Sequence, residues 1–169
     1  NCEIVACTLT DGGEGFVEVL SQKYNAKLTS FEARDSLGIL RKVKIGIVSI
    51  TDLTSDLRSF LTLPPRGKLA IVEMASVCGL RDLDPFQRDP WKTTTLGVGD
   101  LLLLAKSQEV DGILLGIGGS STNDAGVGAL CGLGLKFKDK SGESIQYPSP
   151  SNWSEFKCVD ISYLETLPP

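Results

Sequence analysis

The sequence predicts an α/β fold in which a mixed sheet is covered by helices. Three observations lead there. Short β-branched and apolar runs alternate with segments whose apolar residues recur at helical spacing. Several of these runs end in glycine-rich loops that lead into a new element. The composition, 41% hydrophobic and 22% charged over 169 residues, is that of a globular chain with a real core.

Taken in order, Glu3–Leu9 is a short apolar run and an expected first strand. Thr10–Gly15, TDGGEG, is a loop. Phe16, Val19, Leu20 and Tyr24 then repeat at helical spacing. AKLTSFEARD and RKVKIGIVSI alternate apolar and polar residues as half-buried strands do, with Val43, Ile45 and Ile47 on one face. Asp35–Gly38 between them is a turn. TSDLRSFLTLPPRG holds a short helical piece stopped by Pro64 and Pro65. KLAIVEMA is a buried strand. SVCGLRDLDPFQRDPWK is expected to be irregular, broken by Pro85 and Pro90. TTTLGVGDLLLLAKSQE becomes a long apolar helix, and VDGILLGIGG a buried strand. DAGVGALCGLGLKF is expected to be a closely packed helix starting near Asp124 or Ala125. KDKSGES is a turn, and the chain from Tyr147 is Pro/Ser-rich and poorly periodic until CVDISYL.

Several function classes recede on composition. A net charge of −4 disfavours a nucleic-acid partner, since phosphate backbones select basic faces. No apolar run reaches the roughly 18 residues of a membrane span. Asn1-Cys2-Glu3 shows no basic region ahead of an apolar stretch, so no signal peptide is visible. Five cysteines, an odd number without a Cys-x-x-Cys pair, fit reduced thiols in a cytoplasmic protein. Histidine is absent, so acid–base chemistry falls to Asp, Glu, Lys, Tyr or Cys.

Three loops could carry chemistry. In Gly116–Asp124 a strand ends, glycines turn the backbone and a helix begins, an arrangement whose free amides attract anions. Gly118 and Gly119 admit a ligand close to the main chain, and Ser120, Ser121, Thr122 and Asn123 add donors. The bland alternative is that Thr122, Asn123 or Asp124 only caps the helix. The loop is neither a Walker A nor the dinucleotide fingerprint, because no Lys-Ser or Lys-Thr and no third glycine follow. In TDGGEG, Asp11 and Glu14 flank Gly12 and Gly13, and could hold Mg²⁺ through waters, bind a polyol or form a capping box. In KTTT, Thr93, Thr94 and Thr95 offer hydroxyls to an oxyanion or sugar acid, with Lys92 and Arg88 as sources of positive charge. A threonine cap with solvated cations is the alternative there. The three loops are expected to converge on one cleft.

DGGEG at Asp11–Gly15, VEMASVCGL at Val72–Leu80, DPWKTTTLGVGDLL at Asp89–Leu102 and GIGGSSTNDAGVG at Gly116–Gly128 occur in this order. Together they resemble the bacterial-type glycerate kinase family, which is unrelated to the P-loop kinases. Departures are small: Ser121 stands for the family's usual alanine, Ala125 for glycine, and Val98-Gly99-Asp100 for Thr-Gly-Glu. Members of that family are longer, opening with a strand and a Pro-Asp-Ser-Phe-Lys-like segment and adding later Gly-rich segments. The resemblance therefore implies that residues 1–169 are the central part of such an enzyme, with most of one α/β domain and part of a flavodoxin-like second one. It implies ATP- and Mg²⁺-dependent phosphorylation of a hydroxyl of D-glycerate, with the three loops as the binding site. Asp124 is then the first candidate for proton acceptor or metal ligand, and Asp11 the second; other metal ligands stay open. If Asp124 is catalytic, Asp124→Asn should lower turnover and spare folding, because asparagine caps a helix as well as aspartate. The alternatives are a non-catalytic remnant that keeps a small-anion loop and a kinase for another small hydroxy acid.

Overall fold

A computed structural model describes residues 2–168. Its centre is a four-stranded sheet of order β1-β2-β3-β4: β1 (Lys27–Arg34), β2 (Leu40–Ser49), β3 (Lys68–Glu73) and β4 (Gly112–Gly116). The first three strands run antiparallel and β3 pairs β4 in parallel, with Glu73 opposite Gly116. The expected mixed α/β architecture is therefore present. Asp35–Gly38 makes the tight β1–β2 turn, closed by the Gly38 amide donating to the Asp35 carbonyl.

The period-two pattern explains both faces of the sheet. On β3, Ala70 and Val72 point to one side and Leu69 and Ile71 to the other. The first side is covered by α3 (Ala75–Cys78) and α4 (Leu96–Lys106), through Val77, Cys78, Val98, Leu101 and Ala105. The second is covered by α1 (Phe16–Tyr24) and α2 (Ser55–Phe60), through Val17 and, less completely, Phe16, Leu20, Tyr24 and Leu57. Helices thus lie on both faces of a sheet whose central strand is apolar on both sides. The α5 helix (Val127–Gly132) packs on α4. A small ribbon of β5 (Lys136–Lys138) and β6 (Cys158–Asp160) carries the stacked rings of Phe137 and Phe156.

Three expectations need correction. Residues 2–10 form no strand, and Ile4, Val5 and Leu9 are exposed. A β-branched run becomes a strand only where a neighbouring edge takes its backbone hydrogen bonds, and among the described residues no edge reaches this one. The segment after β3 is less irregular than its prolines suggest: it holds α3 and 3₁₀ turns at Leu80–Asp82 and Pro85–Gln87, with Pro85 in a first-turn position that needs no N–H. The helix after the second glycine loop starts at Val127, not at Asp124 or Ala125. Ala125 (φ 52°) and Gly126 (φ 75°) are left-handed and stop the helix from reaching back. Among the described residues, no helix is long and apolar enough to cross a membrane.

Candidate functional site

Ligands of open α/β sheets collect at the carboxyl ends of parallel strands. Here β3 and β4 end side by side at Glu73 and Gly116, and the loops that leave them meet a third loop ahead of α1. The Gly118 amide donates to the Gly12 carbonyl at 2.9 Å. A Cβ on Gly118 would stand 2.7 Å from the Gly13 nitrogen, so the two glycine loops touch main chain to main chain. Gly119 (φ 71°) then swings the chain so that it faces the Glu14 carboxylate. The other end of the same loop is held by the threonine segment: Thr93 Oγ1 donates to the Ser121 carbonyl at 2.9 Å, and Thr94 and Thr95 bind Asp124. The three segments therefore converge, with Gly116–Asp124 in the middle.

A groove of about 510 Å³ runs over this junction, lined by Glu14, Leu80, Arg81, Arg88, Gly119 and Ser120. It adjoins a second hollow of about 510 Å³ that shares Glu14 and Arg81 and adds Arg41, Lys44 and Glu73. Among the described residues neither Arg81 nor Arg88 is in an ion pair, whereas Arg41 pairs with Asp82 at 2.6 Å. Arg88 Nε is anchored on the Leu83 carbonyl at 3.1 Å. The backbone amides of Gly119 and Ser120 have no protein acceptor among the described residues. Free amides beside unpaired guanidinium groups form a place for an anion.

Glu73 closes the floor. Its carboxylate is buried and accepts from the Val17 amide at 3.0 Å and the Gly15 amide at 3.4 Å, which satisfies the start of α1. Burial pushes its pKa up, and the α1 amides oppose that shift only in part.

The structure redistributes the residues expected from sequence. Asp124 is 1% exposed and does not reach the groove. Its Oδ1 accepts from Thr95 Oγ1 at 3.0 Å and the Gly126 amide at 3.1 Å. Its Oδ2 accepts from the Thr95 and Gly128 amides at 2.8 and 3.0 Å, and from the Thr94 and Thr95 hydroxyls at 3.2 and 2.9 Å. Such a carboxylate has no lone pair left for a substrate proton or a metal. Asp124 ties α4, α5 and the glycine loop together. With these partners, Asp124→Asn is expected to disturb folding rather than spare it.

Thr93, Thr94 and Thr95 are buried; Thr94 and Thr95 bind Asp124 and Thr93 holds the Ser121 carbonyl, and none of the three lines the groove. Ser121 is also buried; its amide and carbonyl bind Cys78 and Thr93. Lys92 is exposed and paired with Asp89 at 3.0 Å. Asp11 turns its Oδ1 back onto the Gly13 amide and shapes the turn. Ser120 and Thr122 bond to each other through their hydroxyls at 2.9 Å, and Asn123 is exposed. Of the expected residues, Glu14, Arg88, Gly119 and Ser120 reach the groove, on the frame of Gly12, Gly13 and Gly118. Sequence reading missed Arg81 and Glu73. A lone carboxylate ending the apolar run KLAIVE was a signal for Glu73; nothing local marks Arg81.

Among the described residues no group of three or more His, Cys, Asp or Glu side chains could form a metal cage. One carboxylate, Glu14, stands at the anion groove, which suits the way Mg²⁺ binds alongside nucleotide phosphates: few protein ligands and several waters.

Known proteins resemble this chain over most of its length. The chain is 38% identical over 147 residues to a glycerate kinase of Haemophilus influenzae, covering 87% of this chain and 35% of that protein. It is 32% identical to the glycerate 2-kinase of Escherichia coli K12, over 98% of this chain and 39% of the other. A crystal structure assigned as a glycerate kinase 2 from Salmonella typhimurium LT2 superposes with a TM-score of 0.73 at 35% identity, over 92% of this chain and 38% of that one. The chain thus spans less than two fifths of the length of these relatives. Residues 1–167 match the glycerate kinase family, and this chain belongs to that family.

Proposed function

We propose that residues 1–169 are the central part of an enzyme that transfers the γ-phosphoryl group of ATP to a hydroxyl of D-glycerate, in the cytoplasm. The observation that carries this is the groove in which the Gly119 and Ser120 amides, unpartnered among the described residues, line the wall with Arg81, Arg88 and the carboxylate of Glu14. Phosphoryl transfer needs positioning and charge neutralisation more than covalent help from the protein. The free amides and guanidinium groups hold phosphoryl oxygens. The acceptor hydroxyl oxygen bonds to the γ-phosphorus, the bond to the bridging oxygen of ADP breaks, and the hydroxyl proton passes to a carboxylate. Glu14 is that carboxylate in our reading, in place of Asp124 and Asp11, because it lies against Gly119 in the lining of the groove. Mg²⁺, when bound, supplies neutralisation of the β- and γ-phosphate charge.

The test is the whole protein as its gene encodes it, supplied with ATP, Mg²⁺ and D-glycerate. Phosphoglycerate should form, with the phosphorylated position read from the product. Arg88→Ala should raise the KM for ATP, and Glu14→Gln should lower kcat by roughly 10²-fold, the scale of a lost acid–base group. Anion binding without turnover would reduce the chain to a binding module, and turnover of another hydroxy acid alone would change the substrate.

A further inference from the structure

A third cavity, of about 300 Å³, lies off the far end of the glycine loop. It is walled by Pro90, Trp91, Asn123, Ala125, Pro150 and Trp153. These are the chain's only two tryptophans. Trp91 is 64% exposed and Trp153 38%, so neither ring is consumed by the core. Indole rings this open keep large apolar faces available for stacking. Both are rigidly presented. The Ser151 amide donates to the Trp91 carbonyl at 2.9 Å, which ties the two loops together. Pro90 and Pro150 precede the rings, and Ser149 and Asn152 cap the turn that carries Trp153.

The position of this cavity decides its use. Arg88 and Ser120 line the anion groove; two and three residues further on, Pro90 and Asn123 line the aromatic cavity. The two wall segments run side by side, joined by Thr93 Oγ1 on the Ser121 carbonyl. Three residues of chain span at most about 10 Å, a gap that a ribose and its phosphates bridge. The geometry points to one trough with a phosphate end at Arg81, Arg88, Gly119 and Ser120, and a purine end between Trp91 and Trp153. The inference rests on the kinase reading for its ligand, the purine ring of the nucleotide donor. The exposed Asn123 side chain offers an amide donor and acceptor to the ring edge, while the indoles offer stacking faces.

The experiment uses the whole encoded protein. KM values for ATP and for D-glycerate are measured in wild type, Trp91→Ala, Trp153→Ala and Trp91→Phe, with melting temperatures alongside. Each alanine variant should raise the KM for ATP about tenfold, the scale of one lost base–aromatic stack. The KM for glycerate should move far less, and Trp91→Phe should restore most of the ATP affinity. Alanine variants with an unchanged KM for ATP would overturn the purine site while leaving the kinase reading intact. A lower melting temperature with that unchanged KM would show the rings packing against another part of the protein, and would overturn it equally. If wild type phosphorylates no glycerate, the kinase reading fails by itself, and calorimetric titration decides the cavity. ATP must then bind wild type more tightly than either alanine variant, and more tightly than inorganic triphosphate, which lacks the base; equal affinities, or no binding, overturn the site.

Discussion

Replacing Asp124 with asparagine should destabilise the protein by about 2–4 kcal/mol, and the structure shows where the loss arises. The best placement of the amide oxygen is at the Oδ2 position, where it keeps the Thr95 and Gly128 amides. The new NH₂ group then occupies the Oδ1 position. Thr95 Oγ1 can turn and accept from it, but the Gly126 amide, now 3.1 Å from a donor, cannot. One charge-assisted hydrogen bond, worth about 1.5–3 kcal/mol, is lost, and a donor is left facing a donor at a further cost of about 1–3 kcal/mol. Relaxation of Ala125 and Gly126 brings the sum to the range given. Asp124→Ala strands the Thr95, Gly126 and Gly128 amides together and should cost about 4 kcal/mol or more. That is a large part of the roughly 5–15 kcal/mol that holds a domain folded. Urea denaturation monitored by circular dichroism measures both. An Asn variant within about 0.5 kcal/mol of wild type, the scatter of ordinary surface changes, would refute the buried-hub account and return Asp124 to the groove as a chemical group.

Further outcomes follow from the same geometry. Gly118→Ala would force a Cβ to 2.7 Å from the Gly13 nitrogen and 2.8 Å from its Cα, so it should push the two glycine loops apart; a weakened ATP affinity, with α1 and α4 still giving a normal far-ultraviolet spectrum, checks this. Ala125→Gly should stabilise the protein by about 0.5–1 kcal/mol, because Ala125 holds a left-handed φ of 52° in an exposed loop; a small rise in melting temperature is the measurement. Cys78 is fully buried with its thiol pushed up to about 12, first by burial and then by the charge of Asp124. It should resist alkylation in the native state, while the exposed Cys2, Cys7 and Cys158 react, as peptide mapping would show. A thiol raised above its ordinary 9.0 favours the folded state below that value and ceases to as pH climbs from there to about 12. Alkaline loss of stability should therefore be shallower in Cys78→Ala.

What the sequence determined by itself was whatever depends on neighbours along the chain. Alternation at two residues marked β1 and β2, helical spacing marked α1, a long apolar run marked α4, and Asp35–Gly38 and Asp139–Gly142 declared their turns, because backbone preference and side-chain period act over a few residues. The glycine loops were legible for the same reason, and their order along the chain was enough to suggest the family. What only the tertiary structure decided was the direction each polar side chain faces. Thr93, Thr94, Thr95 and Asp124 read as ligands because they are polar and sit in loops. They turn inward because partners 28 to 30 residues away satisfy them. Glu3–Leu9 had a strand's composition, but pairing requires an edge, and no pattern within seven residues can supply one. Arg81 came to the groove and Glu73 to the hollow beside it because β3 and β4 lie parallel and end together. A hydrogen-bond partner distant in the chain is chosen by where the fold brings it, and burial then makes that choice hard to reverse, since an unpaired polar group inside the protein costs more than the bond itself returns.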